Sequence, residues 1–228
     1  MYPFVKRFCD IILSTVVLIV LSPILIPVMI GLKLTGEGYI FYFQKRIGYK
    51  QKHFQMWKFA TMLKNSPNIG AGEITVKNDP RLIPMGKFLR KTKINELPQL
   101  INILLGDMSI VGPRPLVDSG FNVYSDFVKA HVYDSKPGLT GIGSIVFRDE
   151  ETLISDSHLP PKDFYNQFIA PYKGKLEMWY QTHKSFTTDF KIIILTAWVI
   201  IFPKSNLLYS WFKDLPPKSA ALVLNLNL

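Results

Sequence analysis

The sequence predicts an α/β chain, mostly α with a short β-hairpin, in which an N-terminal re-entrant membrane helix-break-helix leads into a small cytosolic domain with interface-lying amphipathic helices. Three observations predict it. Residues 11–30 carry no charged side chain and are interrupted by prolines. Short aromatic and apolar runs at 39–43 and 54–59 flank a polar, basic stretch containing Gly48. Beyond Asn95, Leu97, Leu100, Ile101, Leu104 and Leu105 recur at helical spacing. The expected division is a membrane hairpin at 1–36, a cytosolic domain at 37–205 and a C-terminal tail at 206–228.

The apolar run has the roughly 20 residues that a spanning helix needs. Pro23, preceded by Ser22 near its centre, lacks an amide donor and clashes with the preceding turn, and Pro27 adds a second disruption. Lys6 and Arg7 precede the run, and Lys33, Lys45, Arg46, Lys50 and Lys52 follow it. Positive residues on both sides favour keeping both ends in the cytoplasm. A hairpin that enters one leaflet and returns, with the Ser22 hydroxyl serving a carbonyl freed by Pro23, is favoured over a kinked span. The pattern is not that of a cleaved signal peptide, because no small-residue cleavage site follows the run.

The formal charge is +10, the pI is near 9.6 and 48% of residues are hydrophobic. That combination suits anionic lipid headgroups and phosphorylated substrates. Nucleic acid is the competing partner of such charge, and it is excluded as the reading because the chain has no zinc-finger spacing, no RNP-like motif and no long basic helix. The one cysteine, Cys9, precludes an internal disulfide and reads as a packing residue. His53, His131, His158 and His183 are isolated and form no metal spacing.

Along the rest of the chain, 65–72 reads as a loop and 84–91 as a short helix with Pro84 in its first turn. A second helix is expected to start at Asn95 as N-cap, with Glu96 at the positive end of its dipole and Gly106 ending it. Gly112-Pro113-Arg114-Pro115 stiffens the backbone on both sides of one guanidinium, which favours anion recognition over a bland surface turn. Residues 121–132 are expected to form an amphipathic helix, and 136–143 a glycine-rich loop too irregular for a nucleotide fingerprint. Arg148-Asp149-Glu150-Glu151 is the densest acidic cluster. Residues 192–202 are apolar over about half a span and could lie in the interface, with Trp198 and Lys204 at headgroup level.

Taken together, ordered blocks resemble the bacterial sugar transferases, the monotopic polyprenyl-phosphate phosphoglycosyl transferases. They are Lys6-Arg7 with Asp10, Ser22-Pro23, Phe43-Gln44-Lys45-Arg46-Ile47-Gly48, Lys58-Phe59, Thr61-Met62, Asn78-Asp79-Pro80-Arg81 and Phe88-Leu89-Arg90, followed by Glu96-Leu97-Pro98-Gln99, Gly106-Asp107-Met108-Ser109 and Val111 to Pro115. The resemblance implies transfer of a sugar 1-phosphate from a UDP-sugar to undecaprenyl phosphate, releasing UMP, as the first membrane step of a polysaccharide or glycoconjugate. It implies a monotopic enzyme on the cytoplasmic face of the bacterial inner membrane, in contact with its lipids and using Mg2+. It leaves a homodimer open. Arg81, Arg90, Arg114, Arg148 and Lys58 become candidate phosphate-binding residues, and Glu96 the candidate magnesium ligand.

This sequence departs from the resemblance at one decisive place. Relatives have an Asp-Glu pair, with the aspartate as nucleophile, where this chain has Asn95-Glu96. A neutral amide is a poor covalent nucleophile. Ala60 likewise replaces a common arginine. Asn95 reads as an engineered trap, as a native variant with another carboxylate, or as the mark of a catalytically silent protein that binds nucleotide sugar or polyprenyl phosphate and partners an active homologue. The native variant is favoured, with Arg148 replacing the lost arginine and Asp149 or Glu150 replacing the lost aspartate. A direct attack by the lipid phosphate, without a covalent intermediate, is the other route.

Overall fold

A computed structural model describes residues 2–69, 79–203 and 205–218. Asn78, Lys204, residues 70–72 of the expected loop and residues 219–228 of the tail lie outside the described residues. The architecture is mostly helical with two small sheets.

Helix α1 (Tyr2–Leu34) runs unbroken for 33 residues, about 50 Å at 1.5 Å per residue. The break expected at Pro23 is not there. Pro23 removes the amide that would bond the Ile19 carbonyl, and the Ser22 hydroxyl donates to that same carbonyl at 2.7 Å, so the helix continues across the gap. One stripe of α1 faces the rest of the protein. Asp10, Ser14, Leu25, Val28 and Leu32 are buried, and Leu18, Leu21 and Met29 pack beside Phe59, Ile83 and Leu89. The opposite face, including Ile12, Val16, Ile19, Val20, Ile26 and Ile30, is exposed and apolar.

The N-terminal end of α1 is bolted to the domain by polar groups. Lys6 pairs with Asp189, Asp10 Oδ1 accepts the Ile110 amide at 3.0 Å, and Arg7 donates to the carbonyls of Ile103 and Leu104. The Arg7 contacts satisfy carbonyls at a helix C-terminus, where a cation is also favoured by the dipole.

Strands β1 (Phe41–Ile47) and β2 (His53–Phe59) form an antiparallel hairpin with Phe41 opposite Phe59 and Ile47 opposite His53. The first strand is longer than the sequence predicts, because Gln44 to Ile47, read as basic loop, pair with β2 throughout. Gly48 lies in extended backbone; the left-handed residues of the turn are Lys50 and Gln51. Glycine is needed at 48 for space, since a Cβ there would stand 2.8 Å from the Phe54 ring.

Helix α2 (Gly86–Lys91) begins two residues beyond Pro84. A 3-10 turn over Ile94–Glu96 then precedes α3 (Gln99–Leu105). The helix expected to start at Asn95 therefore starts later, with Pro98 at its N-cap position, and Asn95 does not cap it. Gly106 ends α3 at φ +94°, as expected. Asn102 ties α3 to the hairpin: its Oδ1 accepts the Trp57 amide at 2.9 Å and its Nδ2 donates to the Gln55 carbonyl at 2.8 Å.

Strand β3 (Ser109–Val111) leads to α4 (Asp118–Phe121) and α5 (Asp126–His131). The single helix expected over 121–132 is split, because Ser125 is extended and caps α5 through the Val128 amide. The expected glycine loop contains β4 (Gly138–Thr140), parallel to β3, and runs into α6 (Ile142–Val146). Helices α7 (Glu150–Ser155) and α8 (Pro161–Phe164) follow. A π-helical turn over Tyr165–Ile169 joins α8 to α9 (Ala170–His183). Ser185 caps α10 (Phe186–Ile201), which begins earlier than the apolar stretch at 192–202. The largest core joins α6, α9 and α10 through Ile142, Phe164, Leu176, Tyr180, Ile192 and Leu195, and Leu208 of α11 (Leu207–Trp211) and Phe212 belong to it.

Candidate active site

Arg114 follows β3, and its backbone is held from several directions. The Gly112 amide donates to the Thr140 carbonyl at 3.0 Å and the Gly138 amide to the Pro113 carbonyl at 2.9 Å. The Tyr133 hydroxyl donates to the Arg114 carbonyl and accepts the Leu116 amide, both at 2.9 Å, and Arg46 reaches the Pro115 carbonyl at 3.1 Å. A Cβ at Gly112 would lie 2.3 Å from the Lys136 carbonyl, so this close crossing of two backbones needs glycine. The Arg114 guanidinium meets Glu96 in a fork, Nη2 to Oε1 at 2.7 Å and Nη1 to Oε2 at 3.2 Å.

Glu96 ends the 3-10 turn that follows left-handed Lys93. Burial pushes its carboxyl up, but Arg114 and Lys58 outweigh burial and hold it well below the usual carboxylate range. Glu96 in turn raises Arg114. Lys58, half-buried on β2, is lowered well below the ordinary lysine value by burial, then by Arg46, with Arg114 and Arg90 adding to the effect and Glu96 opposing it. Arg114 and Lys58 thus act on one carboxylate, with Arg46 and Arg90 close enough to Lys58 to lower it, a basic cluster that suits a phosphate dianion.

The remaining candidates separate. Asn95 is buried in the turn beside Glu96, and its Oδ1 has no hydrogen-bond partner. Glu150 adjoins the cluster and pairs with Lys173. Asp149 is exposed at the N-cap of α7, and Arg148 donates to the Val199 carbonyl of α10; neither joins the contacts of Glu96. Arg90 pairs with Glu151 at 2.5 Å. Arg81 is buried, with Nε and Nη2 on the two Asp79 oxygens at 2.8 and 2.6 Å and Nη1 on the carbonyls of Ser66 and Ile69. Its guanidinium shapes a loop and is not presented to the Glu96 cluster.

Sequence reasoning missed Glu177 and Lys173. Glu177 lies on α9, is 2% exposed, and accepts the Arg114 amide at 3.4 Å through Oε1 while Oε2 has no partner. Burial pushes its carboxyl up to about 7, against the opposing effects of the Arg114 amide, Lys173 and the Arg114 charge. The only local signal was the i, i+4 spacing of Lys173 and Glu177 within an aromatic helix.

Among the described residues no group of three or more His, Cys, Asp or Glu is arranged to hold a metal. A magnesium ion carried by substrate phosphates needs only one or two protein oxygens. Glu96 and the orphaned Asn95 Oδ1 are hard oxygen donors on adjacent residues and fit that lesser requirement.

The basic, carboxylate-centred cluster has the chemistry that suits a phosphate, and the same chain carries one long apolar helix with an exposed outer face. The chain belongs to the bacterial sugar transferase family, whose model matches residues 1–203. It is 35% identical over 188 residues to a UDP-glucose:undecaprenyl-phosphate glucose-1-phosphate transferase of Escherichia coli K12, covering 82% of this chain and 39% of that protein. It is 32% identical over 213 residues to an undecaprenyl-phosphate galactose phosphotransferase of Salmonella typhimurium LT2, covering 87% and 40%. An exopolysaccharide production protein of Sinorhizobium fredii is 37% identical over 159 residues, covering 64% and 70%. The matched region thus spans about two fifths of the length of the first two relatives.

Proposed function

We propose that this protein transfers a sugar 1-phosphate from a UDP-sugar to undecaprenyl phosphate, releasing UMP, at the cytoplasmic face of the inner membrane. The observation that carries this reading is the Arg114–Glu96 fork with Lys58 and Arg46 beside it, in a chain whose relatives are named for that transfer. Arg114 and Lys58 bind and orient the diphosphate and take up charge that grows on the departing UMP. Glu96 keeps Arg114 aimed until substrate arrives. Glu96 and Asn95 Oδ1 are the residues that would hold a magnesium ion, which would supply further charge neutralisation.

Asn95 offers no carboxylate, Asp149 is exposed and Glu150 is committed to Lys173, which together favour direct attack by the lipid phosphate over a covalent phosphosugar-enzyme. In the monotopic reading, α1 lies unbroken in one leaflet. That reading is supported by contacts to the same domain near both ends of the helix and by its outer apolar face.

The test is UMP release from purified protein given undecaprenyl phosphate and a panel of UDP-sugars. One productive sugar is expected. A chain that binds without turnover, the alternative reading of Asn95, would bind UDP-sugar and release no UMP. The direct route predicts no exchange of labelled UMP into UDP-sugar when lipid is withheld; exchange would establish the covalent route.

A further inference from the structure

Glu177 is a buried carboxyl that the transfer chemistry above does not use. Its place is built by neighbours rather than left over. Oε1 accepts the Arg114 amide. Gly143 of α6 has no side chain there, and a Cβ would stand 2.5 Å from Oε1. Lys173, one turn earlier on α9, gives its ammonium to Glu150. Among the described residues Glu177 has no ion pair, and Oε2 has no hydrogen-bond partner.

A buried polar atom without a partner costs on the order of 1–3 kcal/mol and marks a place where a ligand or water is accepted. The side chain that carries it touches the same residue that forks onto Glu96. Resting on the function proposed above, we propose that Glu177 is a substrate-contacting residue whose Oε2 donates a hydrogen bond to a phosphoryl oxygen gathered by Arg114, either of the nucleotide diphosphate or of the lipid phosphate.

The electrostatics agree with a donor. The charged and titratable groups around Glu177 are Arg114 after β3, Lys173 on its own helix with Glu150 of α7 behind it, Tyr124 between α4 and α5, and Tyr133 after α5; α6 contributes none. Burial outweighs the two cations, and the carboxyl holds its proton up to about pH 7. An arriving phosphate adds negative charge and strengthens that hold. Binding above pH 7 therefore draws a proton onto Glu177.

The test uses the full chain in detergent and titration calorimetry in two buffers of different ionisation heat, at pH 6 and pH 8. One arm uses UDP-glucose, whose diphosphate does not titrate near neutrality, and the other farnesyl phosphate. Wild-type protein is expected to take up close to one proton at pH 8 and almost none at pH 6 in the arm that reports the contact. Glu177→Gln keeps a donor and binds with no uptake beyond the ligand's own, while Glu177→Leu fills the same space and binds at least ~10-fold more weakly. Uptake that persists in Glu177→Gln, or equal affinity of the Gln and Leu variants, overturns the proposal and leaves the proposed function standing. Failure of wild-type protein to bind either ligand overturns both.

Discussion

Half-buried Arg114 and buried Arg81 and Glu177 each meet a carboxylate or a backbone amide, yet substitutions at the three should have different consequences. Arg114→Lys keeps the charge and loses the fork onto Glu96. UDP-sugar affinity should fall by roughly 10- to 100-fold with little change in the thermal midpoint, read by calorimetry and melting of one preparation. Arg81→Ala removes the guanidinium that pairs with buried Asp79 and should cost about 3–5 kcal/mol in denaturant unfolding, with UDP-sugar affinity of the folded fraction retained. At Glu177 the sign follows from linkage. Burial pushes the folded carboxyl up to about 7, above the 4.5 of an ordinary glutamate in the unfolded chain. Its contribution is fully present below the lower value and is lost as pH rises through the higher one. Glu177→Gln should therefore match wild type near pH 4.5 and exceed its stability by on the order of 3 kcal/mol by pH 8, measured as the difference between unfolding curves across that window.

Among the elements, short-range features were legible and crossings were not. The Gly106 stop of α3 is a local pattern and forms as read, whereas the apolar stripe shifts: Leu100 and Ile103 are buried, Leu105 is exposed and Leu97 precedes the helix. The later start of α3 follows from Pro98 at its N-cap position, with the 3-10 turn left to aim Glu96. The parallel pairing of β3 with β4 joins segments nearly thirty residues apart, and three-residue strands carry no alternation to announce it. Glu177 meets Arg114 across 63 residues, and nothing near either predicts the contact. Within the site, Arg114 was readable because a rigid, proline-flanked turn advertises its side chain, and Glu96 from the resemblance of its block although no cap forms there, whereas Asp149 and Arg148 were read from composition alone and stand apart. The tie between α1 and β3 is also testable. Asp10→Ala leaves the Ile110 amide without its acceptor and should destabilise the protein by about 1–3 kcal/mol, seen as a lower denaturant midpoint at unchanged slope.

Across the whole molecule, apolar exposure is concentrated on the outer face of α1 and recurs on α10 at Phe186, Phe190, Ile194, Trp198 and Ile201. A patch of this extent is a contact surface. Placing aspartate at Ile19, Val20 and Ile24 together should shift the protein from floating with anionic vesicles to the soluble fraction in a density gradient, while leaving the inward stripe of α1 intact. Wild-type flotation should persist in high salt, because screening weakens the basic loops and leaves apolar insertion unaffected.

Lys6, Arg7 and Asp10 near one end of α1, and Val28 and Leu32 near the other, all rest on the same body. The helix is thereby a strut and cannot swing like an axle. Whatever surface its outer face meets, helix and domain tilt as one piece, and the Arg114–Glu96 cluster keeps a constant standoff from that surface. Reach toward a headgroup is then a dimension fixed when the chain folds, and an acceptor whose phosphate sits higher or lower would be refused by distance before any chemistry discriminates.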